Sequence, residues 1–455
     1  MLRSFTLTEV AEALTGNLLG ADALFDGVGT DSRKAVAGQL FVALAGPRFD
    51  GHAYLADVAA QGAAAALVER AVPEVHLPQL VVADTRLALG RLGAFNRDLF
   101  QGQVAAVTGS SGKTTVKELL AAILRQQGAT LATQGNLNND LGAPLTLLQL
   151  AAEHAFGVIE LGASHVGDIA YTVSLTRPDV VIITNAGQAH VGEFGGVDRI
   201  VEAKGEIIEG VGEAGTVVLN RDDAAFETWQ RRAAGRKILS FGLDARADVR
   251  ATEVSLDSQG RPSFILHTAQ DDARITLQML GAHNVGNALA AAAAALSLGL
   301  DLTIVARGLA AAAPVQGRTL TRTSQRGAQV IDDSYNANPA SVKAGIDLLA
   351  ALPGRRVVVL GDIAELGEWT EEGHREVGEH ARGKVDAFYS VGPSMAHAAR
   401  AYGVEARHFA DREQLIEALA DEDRAGTTLL IKGSRSAAMD KVVAALCAIN
   451  TEEKH

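Results

Sequence analysis

The feature that most constrains this chain is the run Val107-Thr108-Gly109-Ser110-Ser111-Gly112-Lys113-Thr114-Thr115. The apolar stretch Val104-Ala105-Ala106-Val107 leads into it, and helical spacing over residues 113–127 follows. The pattern predicts strand, glycine loop and helix in direct succession. That order brings backbone N–H groups and the positive end of a helix dipole to one point, where phosphate oxygens bind. Gly109, Ser110, Ser111 and Gly112 supply the loop, and Lys113 reaches the terminal phosphates. Thr114 or Thr115 offers a hydroxyl to Mg2+. The common form of the motif has a further glycine five residues before the second one. Val107 stands there, so the loop is a shortened variant. The alternative is a glycine turn with a chance lysine, which the strand-to-helix context disfavours.

The same alternation organises the rest of the chain. Apolar runs at 156–160, 180–184 and 215–219 are separated by helical stretches, which indicates a parallel sheet covered on both faces. Residues 245–280 alternate more and suit an antiparallel flank. A buried alanine-rich helix is expected over 287–298, with Gly299 placed to end it. A second strand–helix series follows Gly317-Arg318, with strands at 329–332, 356–360, 387–390 and 428–431. Residues before 85 read as a small unit with strands at 40–44 and 63–68 and a helix at 53–62. A helical linker spans 85–100. At about 150 residues per domain, 455 residues allow three. The expected fold is α/β with a small α/β N-terminal domain (1–85), a central P-loop-type, mostly parallel sheet domain (86–314) and a Rossmann-like α/β domain (315–455).

Composition removes several function classes. Hydrophobic residues make up 47% of the chain, too many for a disordered protein. Lys and Arg number 41 against 54 Asp and Glu, a net charge of −13, which argues against broad nucleic-acid binding. The single cysteine, Cys447, rules out an intrachain disulfide or a cysteine metal cluster. Glu9 and Glu12 interrupt any signal peptide, and the weakly polar stretch 288–300 is too short to span a membrane. The expectation is a cytoplasmic protein, monomeric by default.

Further candidate groups sit where strands end, the edge at which open α/β sheets bind ligands. Glu160 closes one strand and is either a Mg2+ ligand or an exposed carboxylate. Asn185 and His190 follow the next, and His190 either binds metal, polarises a substrate or is simply solvated. Lys204, from spacing alone, reads as a helix-surface lysine. His283, Asn284 and Asn287 precede or open the alanine-rich helix, where they either cap it or meet an adenine edge. Arg318 is a phosphate fork or a solvated arginine. The run Asp332-Asp333-Ser334-Tyr335-Asn336-Ala337-Asn338-Pro339 carries more polar groups than a capped turn needs. The Asp362–Glu365 loop and Lys432-Gly433-Ser434-Arg435 would line the same edge, or be plain turns.

Taken together, these motifs resemble the Mur ligase family, the ATP-dependent amide-forming enzymes of bacterial peptidoglycan synthesis. The resemblance covers nearly the whole chain. It is carried by Thr30-Asp31-Ser32-Arg33 with Leu40-Phe41-Val42-Ala43-Leu44-Ala45-Gly46 and Asp50-Gly51-His52, and by Asn136-Leu137-Asn138-Asn139-Asp140-Leu141-Gly142-Ala143-Pro144. The 332–339 run, the 361–367 run and His374 complete it. An Asp-Asn-Pro-Arg motif, found in the lysine- or diaminopimelate-adding members, is absent from the last domain, which points to the step that adds D-alanyl-D-alanine to UDP-MurNAc-tripeptide. The resemblance implies ATP and Mg2+ as cofactors. It implies that Lys113 and Thr114 bind phosphates and Mg2+, and that Glu160, His190 and a carbamylated Lys204 hold a second metal. Asn287, with Asn284, would meet adenine, Arg318 a phosphate and Asp333 the ribose. Ser32 and Arg33 would face the uridine diphosphate. Asn138, Asn139, Tyr335, Asn338, Asp362 and Glu365 are the remaining substrate candidates. Competing expectations are a sister amide ligase, a folylpolyglutamate synthase-like enzyme and a nucleotide-dependent switch. The Asp31-Ser32-Arg33 unit disfavours the folate enzyme. The switch accounts for the phosphate loop but not for the loops of the third domain.

Overall fold

The computed structural model describes residues 1–47, 49–187 and 191–447. Its architecture is mixed α/β, built on three larger sheets. The N-terminal sheet orders Asn17–Leu19, Gln79–Val81, Ala65–Val68, Gln39–Val42 and Gly27–Gly29, with only the first pair antiparallel. Strands of three or four residues leave little periodicity, so only two of these five were legible as apolar runs. The expected helix at 53–62 is a 3-10 turn, Gly51–Tyr54, running into the helix Leu55–Ala60.

The central sheet has nine strands. Gln103–Thr108 lies between Phe156–Glu160 and Val180–Ile183, and parallel pairing continues through Thr216–Asn220 and Lys237–Gly242 to Val249–Leu256. Pro262–His267 and Asp272–Thr276 then add antiparallel pairs, as the alternation over 245–280 predicts. Val104, Ala106, Ile159 and Val181 face one core and Ala105, Val107, Val158 and Ile182 the other, so both faces are covered. That burial on both faces is why these strands read as unbroken apolar runs. The helices Lys113–Leu124 and His283–Ser297 share one of these cores. Ala290 through Ala295 are all buried there, small enough to let the two helices approach closely.

The last sheet orders Leu320–Thr323, Gln329–Asp333, Thr427–Lys432, Arg355–Gly361, Ala387–Val391 and Arg407–Phe409. All pairs but the first are parallel. This unit shares a core with the central one: Val191, Phe194, Ile200, Ala203 and Leu280 pack with Ala337, Ile363 and Leu366. The carboxyl ends of the central strands and the loops after Asp333 and Gly361 therefore border one cleft. No helix among the described residues is long and apolar enough to cross a membrane.

Candidate active site

The phosphate loop begins where two neighbouring strands end. Parallel register sets Val107 beside Glu160 and Thr108 beside Ile183. The helix Lys113–Leu124 starts at Gly112, which has φ 81° and gives no side-chain cap, so the first N–H groups are open to an anion. A Cβ on Gly112 would lie 2.3 Å from Oδ1 of Asn287. Glycine is thus required both by the turn and by the approach of Asn287. Asn185 holds the loop from behind: its Oδ1 accepts the Ser111 N–H at 2.9 Å and its Nδ2 donates to the Ser111 carbonyl at 3.2 Å. Thr184 Oγ1 donates to the same carbonyl at 2.6 Å. Ser110 Oγ donates to the Gly187 carbonyl at 3.0 Å. Lys113 Nζ donates to the Gly109 carbonyl at 2.6 Å. Burial pulls the Lys113 pKa down, Glu160 opposes that shift, and Arg318 adds to it.

Glu160 is 2% exposed, so the exposed-carboxylate alternative falls. Its Oε1 accepts from Asn138 Nδ2 at 2.8 Å, whereas the buried Oε2 has no hydrogen-bond partner among the described residues. An orphaned buried carboxylate oxygen is costly, and a cation is the group that would satisfy it. Lys204 corrects the surface-lysine reading: it is 1% exposed. The helix Val197–Gly205 turns it inward, with Nζ 3.5 Å from the Ala163 carbonyl oxygen and 5.1 Å from the centroid of the Phe194 ring. Spacing alone could not reveal this, because the face is covered by Phe194 of the preceding short helix, folded back over it, and by the 163 loop, forty-one residues away. Burial, and then the neighbouring charge of Lys113, lower the Lys204 pKa to about 7. Near neutral pH a substantial fraction is therefore a free amine, able to attack an electrophile such as CO2. The donor set fits Mg2+, which takes oxygen ligands and keeps much of its water: the orphan oxygen of Glu160, the Thr114 hydroxyl, and a carbamate oxygen if Lys204 is modified. No cluster of three or more His, Cys, Asp or Glu exists among the described residues. His190 lies outside the described residues.

The cleft holds about 400 Å³ and is lined from both units by Ser110 through Thr115, Asn284, Asn287, Arg318, Asp333, Asn338 and Glu365, together with Lys432. The alanine-rich helix starts at His283, earlier than expected, behind Ala282 and with no side-chain cap. Capping thus does not explain the asparagines. Asn284 Nδ2 donates to the Leu280 carbonyl at 2.7 Å, and its Oδ1 accepts from Asn287 Nδ2 at 2.8 Å. Arg318 is half-buried, its guanidinium 4.4 Å from the Tyr335 ring centroid, so it is not a solvated arginine. Asp333 accepts from Lys432 Nζ at 2.6 Å and from the Thr319 N–H at 3.2 Å. Asn338 caps the helix Pro339–Ala350 and also donates from Nδ2 to Ser111 Oγ at 2.8 Å, joining the two units.

Other candidates lie elsewhere. Ser32 and Arg33 occupy a 3-10 turn of the N-terminal unit, where Arg33 forms an exposed pair with Asp31 at 2.9 Å. That pair holds the Asp31 carboxyl down at about 2. Asn139 Oδ1 accepts the N–H of Gly142 at 2.9 Å, a local capping contact. Tyr335 supports Arg318 without itself lining the cleft. Asp362 accepts the Met395 N–H at 2.8 Å and borders a separate hollow with Gly392 and Arg412. Asn185 and Lys432, placed at strand ends by the sequence without a specific contact, both line the cleft. What the sequence does not show is their contacts: Asn185 with the Ser111 backbone, and Lys432 with Asp333.

Three family models match the chain: the Mur ligase family catalytic domain over residues 24–97, the Mur ligase middle domain over 107–295 and the Mur ligase glutamate ligase domain over 317–435. The UDP-N-acetylmuramoyl-tripeptide–D-alanyl-D-alanine ligase of Escherichia coli K12 is 45% identical over 447 residues, covering 97% of this chain and 98% of that protein. Its Haemophilus influenzae counterpart is 39% identical, covering 96% and 97%. Among solved structures, MurF from Acinetobacter baumannii superposes with a TM-score of 0.92 at 39% identity, covering 97% of this chain and 98% of that one. MurF from Thermotoga maritima, in complex with ADP, gives 0.84 at 30% identity, covering 92% and 96%.

Proposed function

This chain belongs to the Mur ligase family, and on that premise we propose that its cleft joins D-alanyl-D-alanine to UDP-N-acetylmuramoyl-tripeptide at the expense of ATP. The products are UDP-MurNAc-pentapeptide, ADP and phosphate, a step of peptidoglycan precursor synthesis. The observation that carries the reading is a phosphate loop that lines a cleft shared with a second α/β unit, with a buried carboxylate on the strand beside it and a buried lysine of lowered pKa close enough to feel the charge of Lys113.

A carboxylate is a poor acyl donor, so the tripeptide carboxylate is first phosphorylated. Lys113 and the open N–H groups of the Lys113–Leu124 helix hold the phosphates, and Arg318 offers a planar fork beside them. Asn287 and Asn284 are the groups for the adenine edge, and Asp333 for the ribose. Thr114, Glu160 and Lys204, with His190, would hold Mg2+, which supplies charge neutralisation as the phosphoryl group moves. Lys204 would serve as a ligand only as a carbamate, formed when its free amine adds to CO2 and releases a proton, which turns a cation into an anion. The dipeptide amine attacks the acyl phosphate, and the tetrahedral intermediate collapses to amide and phosphate. Water would hydrolyse the acyl phosphate, and the packing of Leu366 against the central unit supports its exclusion.

Residues 1–85, carrying Ser32 and Arg33, are read as the uridine diphosphate unit, 86–314 as the ATP unit and 315–455 as the dipeptide unit. Asn338, Glu365 and Asp362 are the dipeptide candidates there, with Asn138, Asn139 and Tyr335 in supporting positions. A nucleotide-linked substrate and ATP support a cytoplasmic reaction. The deciding measurement is phosphate release with Mg2+-ATP and UDP-MurNAc-tripeptide, with D-Ala-D-Ala added or withheld. Release that needs both partners and yields the pentapeptide mass is expected. Dependence on a different amine would replace the step, and release indifferent to both partners would replace the ligase with a nucleotide switch.

A further inference from the structure

We propose that Lys432 is a positioning residue of the nucleotide site, holding the Asp333 carboxylate and the loop behind it where they select for ribose hydroxyls; this rests on the reading of Asp333 as the ribose contact. Lys432 closes the strand Thr427–Lys432, and register pairs it with Asp333 on the adjacent strand. It is 2% exposed although it borders the cleft. Its Nζ donates to Asp333 Oδ2 at 2.6 Å and to the Asn336 carbonyl at 3.0 Å. Burial pulls the Lys432 pKa down and Asp333 opposes that shift. A buried lysine with an unpaired charge is costly, so the ammonium is tied to these two partners.

The two bonds anchor both ends of one turn. Asp333 begins the loop and Asn336 lies within it. Two residues later Asn338 Nδ2 reaches Ser111 Oγ in the phosphate loop at 2.8 Å. Asp333 is held on its other oxygen by the Thr319 N–H at 3.2 Å, next to Arg318. Donors on separate oxygens set the plane of the carboxylate. Each oxygen keeps a further lone pair for a hydroxyl entering the cleft. Lys432 therefore acts through Asp333 rather than on the nucleotide.

The test is calorimetric binding of ATP, 2′-deoxy-ATP and 3′-deoxy-ATP to the full chain and to Lys432→Met, Lys432→Arg and Asp333→Asn, with a Tm for each. The native protein is expected to prefer ATP over a deoxy analogue by about tenfold or more, as for a hydrogen bond to a charged group. Lys432→Met should weaken ATP about tenfold, leave the deoxy analogue nearly unchanged and so erase the preference. Lys432→Arg should restore part of it. If Lys432→Met does not fold, Lys432→Gln carries the test, since it keeps a donor for Asn336 and loses the charge. Equal weakening of all three nucleotides, or an intact preference in both Lys432→Met and Lys432→Gln, would overturn the positioning role. An intact preference in Asp333→Asn would overturn the ribose reading beneath it. Failure of the ligase reading would appear in the phosphate-release assay and not here.

Discussion

At the scale of single residues, two lysines carry opposite kinds of information. Lys113 sits in a motif whose chemistry is local, so its neighbourhood was legible from nine consecutive residues. Lys113→Ala should cut turnover by about 10²-fold or more, because it removes the phosphate's charge partner; unchanged turnover defeats the assignment. Lys204 gave no such signal, since its burial comes from Phe194 and the 163 loop. Lys204→Ala should lose activity that a small carboxylate in the buffer partly restores, and full activity in the variant would remove Lys204 from the metal site. Its lowered pKa also has a stability consequence. The folded pKa of about 7 lies below the usual lysine value, so between the two the unfolded chain binds the extra proton. Stability from this group therefore rises with pH above about 7. Lys204→Met should be more stable than the native chain at pH 6, with the gap shrinking toward pH 10, as read by urea denaturation in CO2-free buffer.

At the scale of elements, the helix Pro339–Ala350 is bound into the site through its cap. Asn338 Oδ1 accepts the Ser341 N–H at 2.8 Å while Nδ2 serves Ser111, so one side chain does two separable jobs. Asn338→Ala should cost about 1 kcal/mol of stability from the lost cap and also raise KM for ATP. Asn338→Asp keeps the acceptor and loses the donor. Its Tm should stay near native while KM rises, and equal KM in native and Asp variants would show that the Ser111 link is idle. The element boundaries explain a misreading as well. The alanine-rich helix begins at His283, so Asn284 and Asn287 sit on its first turns and point to neighbours rather than capping it. Helical spacing is visible in sequence, but where the first turn starts depends on what receives the free N–H groups.

At the scale of the molecule, the central and C-terminal units meet at a glycine pair. The Gly192 N–H donates to the Glu365 carbonyl at 3.1 Å, and a Cβ on Gly192 would lie 2.4 Å from the Gly367 nitrogen. The clash is with backbone, which cannot rotate away. Gly192→Val should hold the units apart, raising the radius of gyration in solution scattering and lowering kcat as the cleft admits water. An unchanged radius with native kcat would show that the close approach is not needed for closure.

The strand–loop–helix of the phosphate site, the parallel central sheet, its antiparallel flank and the second α/β series were all legible in the order of residues. These follow from contacts close in the chain and from strands buried on both faces, which leave unbroken apolar runs. Folding in three dimensions was needed to bury Lys204, to leave Glu160 with an oxygen unpartnered among the described residues, to pair Lys432 with Asp333 and to bring Asn338 to Ser111. Each depends on which distant segment covers a polar side chain. The energy of such a group is set by its partners and its loss of water, and neither is written in the spacing of the residues around it.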